Sequence, residues 1–195
     1  MKKMLLILAL SVFGFANAQK GTVLVGGNIS YNSEKIDREL SSTKTNGFAF
    51  SPKVGYQFRD NWTAGAEFSL ESSKSTTDVS EGKFNAYKIG AFVRYTYPLN
   101  ETFSVFADLG AGFKNQKDKG YSNGLLVYDN KGNGFYTALT PALFINMKKG
   151  FGLNFSIGGL GYETLSYDND GEDIDSSKFF VNFGKTVNIG VSKNF

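Results

Sequence analysis

Large apolar residues occupy every second position through most of this chain. Over 48–58 they are Phe48, Phe50, Pro52, Val54, Tyr56 and Phe58, separated by Ala49, Ser51, Lys53, Gly55 and Gln57. The same alternation runs through Val23, Val25, Ile29 and Tyr31, and through Trp62, Ala64, Ala66, Phe68 and Leu70. It continues in 87–97, 103–113, 135–145 and 151–157, and ends in Val187, Ile189, Val191 and, after Lys193, Phe195. A period of two marks a β-strand with one apolar face, and helical spacing fits none of these windows for long. About eight strands of roughly 9–13 residues are predicted, longer than those of soluble sheets and long enough to cross a bilayer at a tilt.

The connections alternate in length. Short ones at 59–61, 98–102 and 148–150 are separated by long ones at 32–46, 72–83, 114–133 and 163–178. The long segments are rich in Ser, Thr, Asn, Asp, Lys and Gly and read as solvated loops. Antiparallel strands joined in this way form an up-and-down meander with all short turns at one end. The predicted fold is therefore all-β: an eight-stranded antiparallel up-and-down transmembrane β-barrel, with short periplasmic turns and four longer extracellular loops. Closure is required because an unpaired backbone group in hydrocarbon costs several kcal/mol. Pro52 and Pro141 each remove a ladder donor, so a bulge or irregular pairing is expected at both.

The two strand faces differ in bulk and charge. Bulky side chains share one face, whereas the other carries Gly, Ala, Ser and Thr together with Lys53, Glu67, Glu71, Lys88, Arg94 and Asp108. A lipid-facing Lys or Arg at mid-membrane costs about 2–4 kcal/mol, which accounts for the exclusion of charge from the bulky face of the middle strands. The small, charged face thus belongs in the lumen. Aromatic residues collect at the strand ends in two girdles. Tyr56, Phe58, Trp62, Tyr95, Tyr97, Phe103, Phe151 and Phe195 lie toward the short turns, with Tyr31, Phe48, Tyr87, Phe113, Phe135 and Phe179 at the other end. Lys185 and Lys193 fall on the lipid phase, where long lysines snorkel to an interface.

Composition adds limits. Among 195 residues there is no Cys and no His, which removes disulfides, thiolate metal sites and the commonest general base. Residues 1–18 have a basic start (Lys2, Lys3), an apolar run and a small-x-small site at Ala16-Asn17-Ala18. They read as a secretory signal peptide cleaved between Ala18 and Gln19, leaving a barrel domain over 19–195. Cleavage removes two of the 21 basic residues and leaves 19 against 18 acidic, so the basic balance of the full chain implies no nucleic-acid partner.

The segments 51–68 and 140–163, the signal peptide and the terminal Phe195 together resemble the small outer-membrane β-barrel proteins of the OmpA/OmpX type from Gram-negative bacteria. The resemblance implies residence in the outer membrane and contact with its lipid. It also implies recognition of the C-terminal strand, through Phe195 with Val191, Ile189 and Val187, by the barrel-assembly machinery. Lys193 departs from the apolar residue usual at its place. No peptidoglycan-binding segment follows the barrel, so that activity is not carried over.

For function, the inward charges form either a polar plug of ion pairs in a narrow lumen or the gate of a narrow ion or small-solute channel; the plug is the reading preferred, because buried charges must be paired. The acidic stretch 166–177 gathers Asp168, Asp170, Glu172, Asp173 and Asp175; Ca²⁺ is a weaker alternative there to a solvated loop, since Gly171 comes too early for an EF-hand. No cofactor is expected, and catalysis is disfavoured: there is no His, no phosphate loop and no nucleophile motif. A structural role or contact with a surface protein or glycan through the loops is expected, with a soluble periplasmic ligand-binding barrel as the alternative from another class.

Overall fold

The computed structural model describes residues 21–38, 41–169, 172–184 and 188–195, so the expected signal peptide lies outside the described residues, as do Lys185 and Val187. The chain forms β1 (Val23–Arg38), β2 (Ser41–Arg59), β3 (Trp62–Thr76), β4 (Ser80–Pro98), β5 (Phe103–Ser122), β6 (Leu125–Lys148), β7 (Phe151–Ser156), β8 (Leu160–Asn169), β9 (Glu172–Val181) and β10 (Asn188–Asn194). All neighbours pair antiparallel. The segments β7 and β8 are two parts of a seventh strand, and β9 and β10 of an eighth, so the sheet closes as an eight-stranded barrel. Leu24↔Asn194 through Gly27↔Val191 join the first strand to the last.

The apolar face looks outward. Phe50, Val54, Ile89, Leu109 and Ile189 are 41–58% exposed, while Phe92 on the opposite face is 1% exposed. A soluble barrel would turn its apolar face inward, and the structure does the reverse. Phe195 departs from the expected girdle: it is 4% exposed, lies one residue beyond β10, and has the Lys193 ammonium 4.3 Å from its ring centroid. Its backbone exchanges two hydrogen bonds with Val23, which ties the chain end to the first strand.

The strands are longer than expected, reaching 24 residues in β6. The segments expected as long loops are mostly continuations of the ladder: β4 and β5 pair from Pro98↔Ser104 up to Ser80↔Ser122. A two-residue turn, Asn123 (φ 50°) and Gly124 (φ 78°), then returns the chain into β6. Two successive left-handed residues match the right-handed twist of a tight hairpin. Hydrophobic alternation is lost there because both faces meet water, whereas Ser and Thr remain good strand formers and bond across it, as Thr45 does with Ser75.

Both prolines disturb pairing. Next to Pro52 the β2–β3 ladder lapses between Phe50↔Leu70 and Lys53↔Glu67 and resumes without a shift of register. Beside Pro141 the pairing passes from Leu139↔Leu160 to Ala142↔Ser156, so Thr140 and Pro141 oppose the three residues 157–159, which form a bulge. Gly158 (φ 102°) makes the bulge possible, because a Cβ there would stand 1.8 Å from the Asn182 carbonyl oxygen. The amide of Gly159 donates to Asn182 Oδ1 at 2.9 Å and pins the bulge to the eighth strand.

Candidate functional site

The lumen holds the densest chemistry. Register places Arg94 opposite Asp108, Lys53 opposite Glu67, and Lys88 opposite Lys114. Each pair sits on adjacent strands and shares a face, so all six side chains point inward. Arg94 donates to both oxygens of Asp108, from Nε at 2.6 Å and from Nη2 at 2.9 Å. This bidentate geometry fits a planar guanidinium to a carboxylate. The Lys53 ammonium crosses the lumen to reach Asp108 and also pairs with Glu67, both at 2.9 Å.

The chain of contacts continues upward. Tyr136 Oη donates to Glu67 Oε1 at 2.7 Å from the far wall. The two lysines that face each other, Lys88 and Lys114, are bridged by Glu163, at 2.5 and 2.7 Å to its two oxygens. Aromatic faces complete the packing: the Arg94 guanidinium lies 3.7 Å from the Phe106 centroid, Lys53 5.1 Å from Phe92, and Lys88 5.0 Å from Tyr136. Cations over ring faces gain from the quadrupole where water is scarce. Space for these groups comes from Gly110, where a Cβ would stand 2.4 Å from Glu67 Oε1. A cavity of about 60 Å³ remains beside Lys53, Arg94 and Asp108, bounded by Asn28, Ser51 and Asn154. That is room for a few waters.

Five of the six charges expected in the lumen are brought together. Glu71 is not: it continues the inward phase of β3 but is exposed in the upper hairpin and makes no ion pair among the described residues. Sequence reading missed Glu163, Lys114 and Tyr136. Lys114 continues the phase of Asp108, Gly110 and Gly112, so alternation carried past Phe113 would have found it.

In the acidic stretch, Asp170 lies outside the described residues, and the ladder pairs Asp168 with Asp173 and Asn169 with Glu172. Asp175 is exposed and accepts a hydrogen bond from Ser166.

Above the outer girdle the outward wall carries lysine–carboxylate triads. Glu81 pairs with Lys74 and Lys83, both at 2.6 Å, and Asp129 with Lys119 at 3.0 Å and Lys117 at 3.5 Å. Hydrogen bonds from Lys74 and Lys83 hold the Glu81 carboxyl below its ordinary range, and the bond to Glu81 raises Lys83 above its own.

A family model described as outer membrane protein beta-barrel domain matches residues 4–195. Among solved structures, the outer membrane protein OprG of Pseudomonas aeruginosa is 11% identical with a TM-score of 0.50, over 92% of this chain and 98% of that one. Ail, the attachment invasion locus protein of Yersinia pestis, is 18% identical with a TM-score of 0.45, over 91% of this chain and all of that one. Neisserial surface protein A is 17% identical with a TM-score of 0.38, over 92% and 100%. The likeness to OprG is one of fold. No curated protein matches the chain.

Proposed function

We propose that this chain, which belongs to the outer membrane protein β-barrel domain family, serves as a non-conducting, non-catalytic barrel with a structural or surface-interaction role. The chain is an outer-membrane protein. The observation that carries the closed-lumen reading is the set of bonds that cross from wall to wall: Lys53 to Asp108, Tyr136 to Glu67, and Lys88 and Lys114 to Glu163. Lys53, Lys88, Arg94 and Lys114 each have a carboxylate partner in the lumen, and opening a path would leave charges unpaired at a cost of several kcal/mol.

In this reading residues 1–18 direct export and are removed, and the assembly machinery reads the C-terminal strand that ends at Phe195. Lipid covers the outward face, and the long hairpins stand on the cell exterior, where a surface protein or glycan would meet them. Planar-bilayer recording of the purified chain tests the lumen: no unitary current is expected, and discrete single-channel steps would overturn the plug. An epitope placed between Asn123 and Gly124 tests sidedness. Labelling on intact cells is expected; labelling only after permeabilisation would reverse the orientation.

A further inference from the structure

The first strand keeps a bare edge along its upper half. β1 pairs with β2 over its whole length, from Val23↔Tyr56 to Arg38↔Ser41, with no shift of register. On its other side it pairs with β10 only from Leu24↔Asn194 to Gly27↔Val191. Among the described residues no strand lies beside β1 above Gly27, and β9, at the other end of the sheet order, pairs with β8 alone. Residues 28–38 of β1 and 174–179 of β9 are all exposed, so neither edge is covered. Across the seam below, Val23 exchanges two backbone hydrogen bonds with Phe195. That orientation recurs every second residue along a strand, and the unbroken register carries it upward. Lys35 and Asp37 therefore aim their N–H and C=O groups at the bare edge. Lys35 lies four residues past Tyr31 of the upper girdle, about 10 Å farther along the axis, and stands in water.

This part of the edge reads Glu34-Lys35-Ile36-Asp37-Arg38. Its charges complement their own reverse. Turned about a two-fold axis through Ile36, a second copy sets Glu34 against Arg38, Lys35 against Asp37, and Ile36 against itself. Charge commonly guards an edge strand from pairing, but this order of signs admits its own copy. Register is fixed as well. Opposed residues must both aim their backbone groups across the contact, so the neighbouring allowed registers centre on Lys35 or on Asp37. Those oppose Lys35 to Lys35 or Asp37 to Asp37, and like charges directly opposite destabilise a sheet. Within one chain Lys35 and Asp37 pair at 2.9 Å with both side chains 62% exposed, and Lys35 also stands opposite Lys44 of β2. A second Asp37 beside Lys35 would offset that contact between lysines.

We infer that the β1 edge at Glu34–Arg38 pairs antiparallel with the same edge of a second copy of this chain. Lys35 and Asp37 of the two copies exchange backbone hydrogen bonds, and the contact is isologous. Antiparallel pairing inverts the second barrel, and only the hairpin tips overlap, so the second copy sits in a facing membrane. A contact this short is weak by itself and gains strength from many copies acting between two membranes. The inference deepens the surface-interaction reading by naming the partner. It rests on that reading only for the facing membrane being that of another cell.

The test uses the chain without residues 1–18, folded into phosphatidylcholine vesicles, with clustering followed by dynamic light scattering. Wild type is expected to cluster the vesicles. The E34R/K35E and D37K/R38E variants each oppose like charges at every charged pair, and each alone should cluster at least about ten-fold more slowly. Mixing vesicles of the two variants restores every opposite-charge pair and should restore clustering. Heat-modifiable gel migration shows whether each variant folds. Should the charge variants not fold, I36C decides the matter, because the chain has no other Cys. On the two-fold axis the paired Cβ atoms lie about 4.5–5.5 Å apart, within reach of a disulfide after small adjustment. Residue 33 of each copy is about 20 Å from its mate, so in detergent micelles I36C should oxidise to a dimer at least about ten-fold faster than S33C. Wild-type vesicles that stay dispersed, charge variants that cluster as fast as wild type, or I36C that links no faster than S33C would each overturn the pairing and leave the surface role standing. Clustering vesicles together with an Asn123–Gly124 epitope hidden on intact cells would overturn the surface reading instead.

Discussion

Replacing Asp108 by Asn tests the lumen network at its most connected carboxylate. The substitution keeps shape and removes the charge shared by Arg94 and Lys53. Lys53 keeps Glu67 as a partner, so most of the cost falls on Arg94, whose side chain is only 10% exposed. Two hydrogen bonds to a charged group contribute about 1.5–3 kcal/mol each, and breaking a buried pair from one side costs about 3–5 kcal/mol. The stacking of Arg94 on Phe106 is the same in both proteins and cancels from the difference, while the Asn side-chain oxygen still accepts one of the two hydrogen bonds, which puts the loss at the lower end of that range. A net loss of about 3 kcal/mol is expected, read as a lower urea midpoint at unchanged slope for the chain in detergent micelles. The double replacement Arg94→Met with Asp108→Leu removes both charges together and should lie within about 1 kcal/mol of wild type. An Asp108→Asn variant within about 0.5 kcal/mol of wild type, or a double variant as unstable as the two single ones added, would refute the view that the cost of leaving charge unpaired holds the lumen closed.

Three further outcomes follow from other parts of the barrel. Gly158→Ala should destabilise by about 1–3 kcal/mol or more, since it adds left-handed strain to a collision with the Asn182 carbonyl; a midpoint equal to wild type in the same urea assay would remove the bulge argument. Leu109→Arg, on the outward face at mid-barrel, should cost about 2–4 kcal/mol in a bilayer, and an unchanged stability in vesicles would contradict the assigned orientation. For Glu81 the folded-state pKa is lowered from the ordinary 4.5, so its contribution is complete above that value and is lost as pH falls through the lowered one. Amide protection across the β3–β4 hairpin, corrected for intrinsic exchange, should hold from neutral pH to about 5 and fall below about 4; a loss already near neutral pH would contradict the pairing with Lys74 and Lys83.

Period-two alternation determined the fold class, the outward apolar face and the inward set Lys53, Glu67, Lys88, Arg94 and Asp108, because in a closed barrel side-chain parity along each strand decides between lipid and lumen. The prolines foretold irregular pairing for a reason equally local, the missing donor. Alternation was silent wherever water wets both faces, so the upper halves of the hairpins passed for loops even though Asn123-Gly124 is a strong hairpin signal by itself. Only the tertiary structure decided who meets whom. Register across eight strands brings Glu163 between Lys88 and Lys114, sets Tyr136 on Glu67, and leaves Glu71 in solvent. It also buries Phe195, because pairing with Val23 at the closing seam fixes where the chain ends. Parity can be read from one strand alone, whereas a contact across the lumen depends on how far every strand in between has slid.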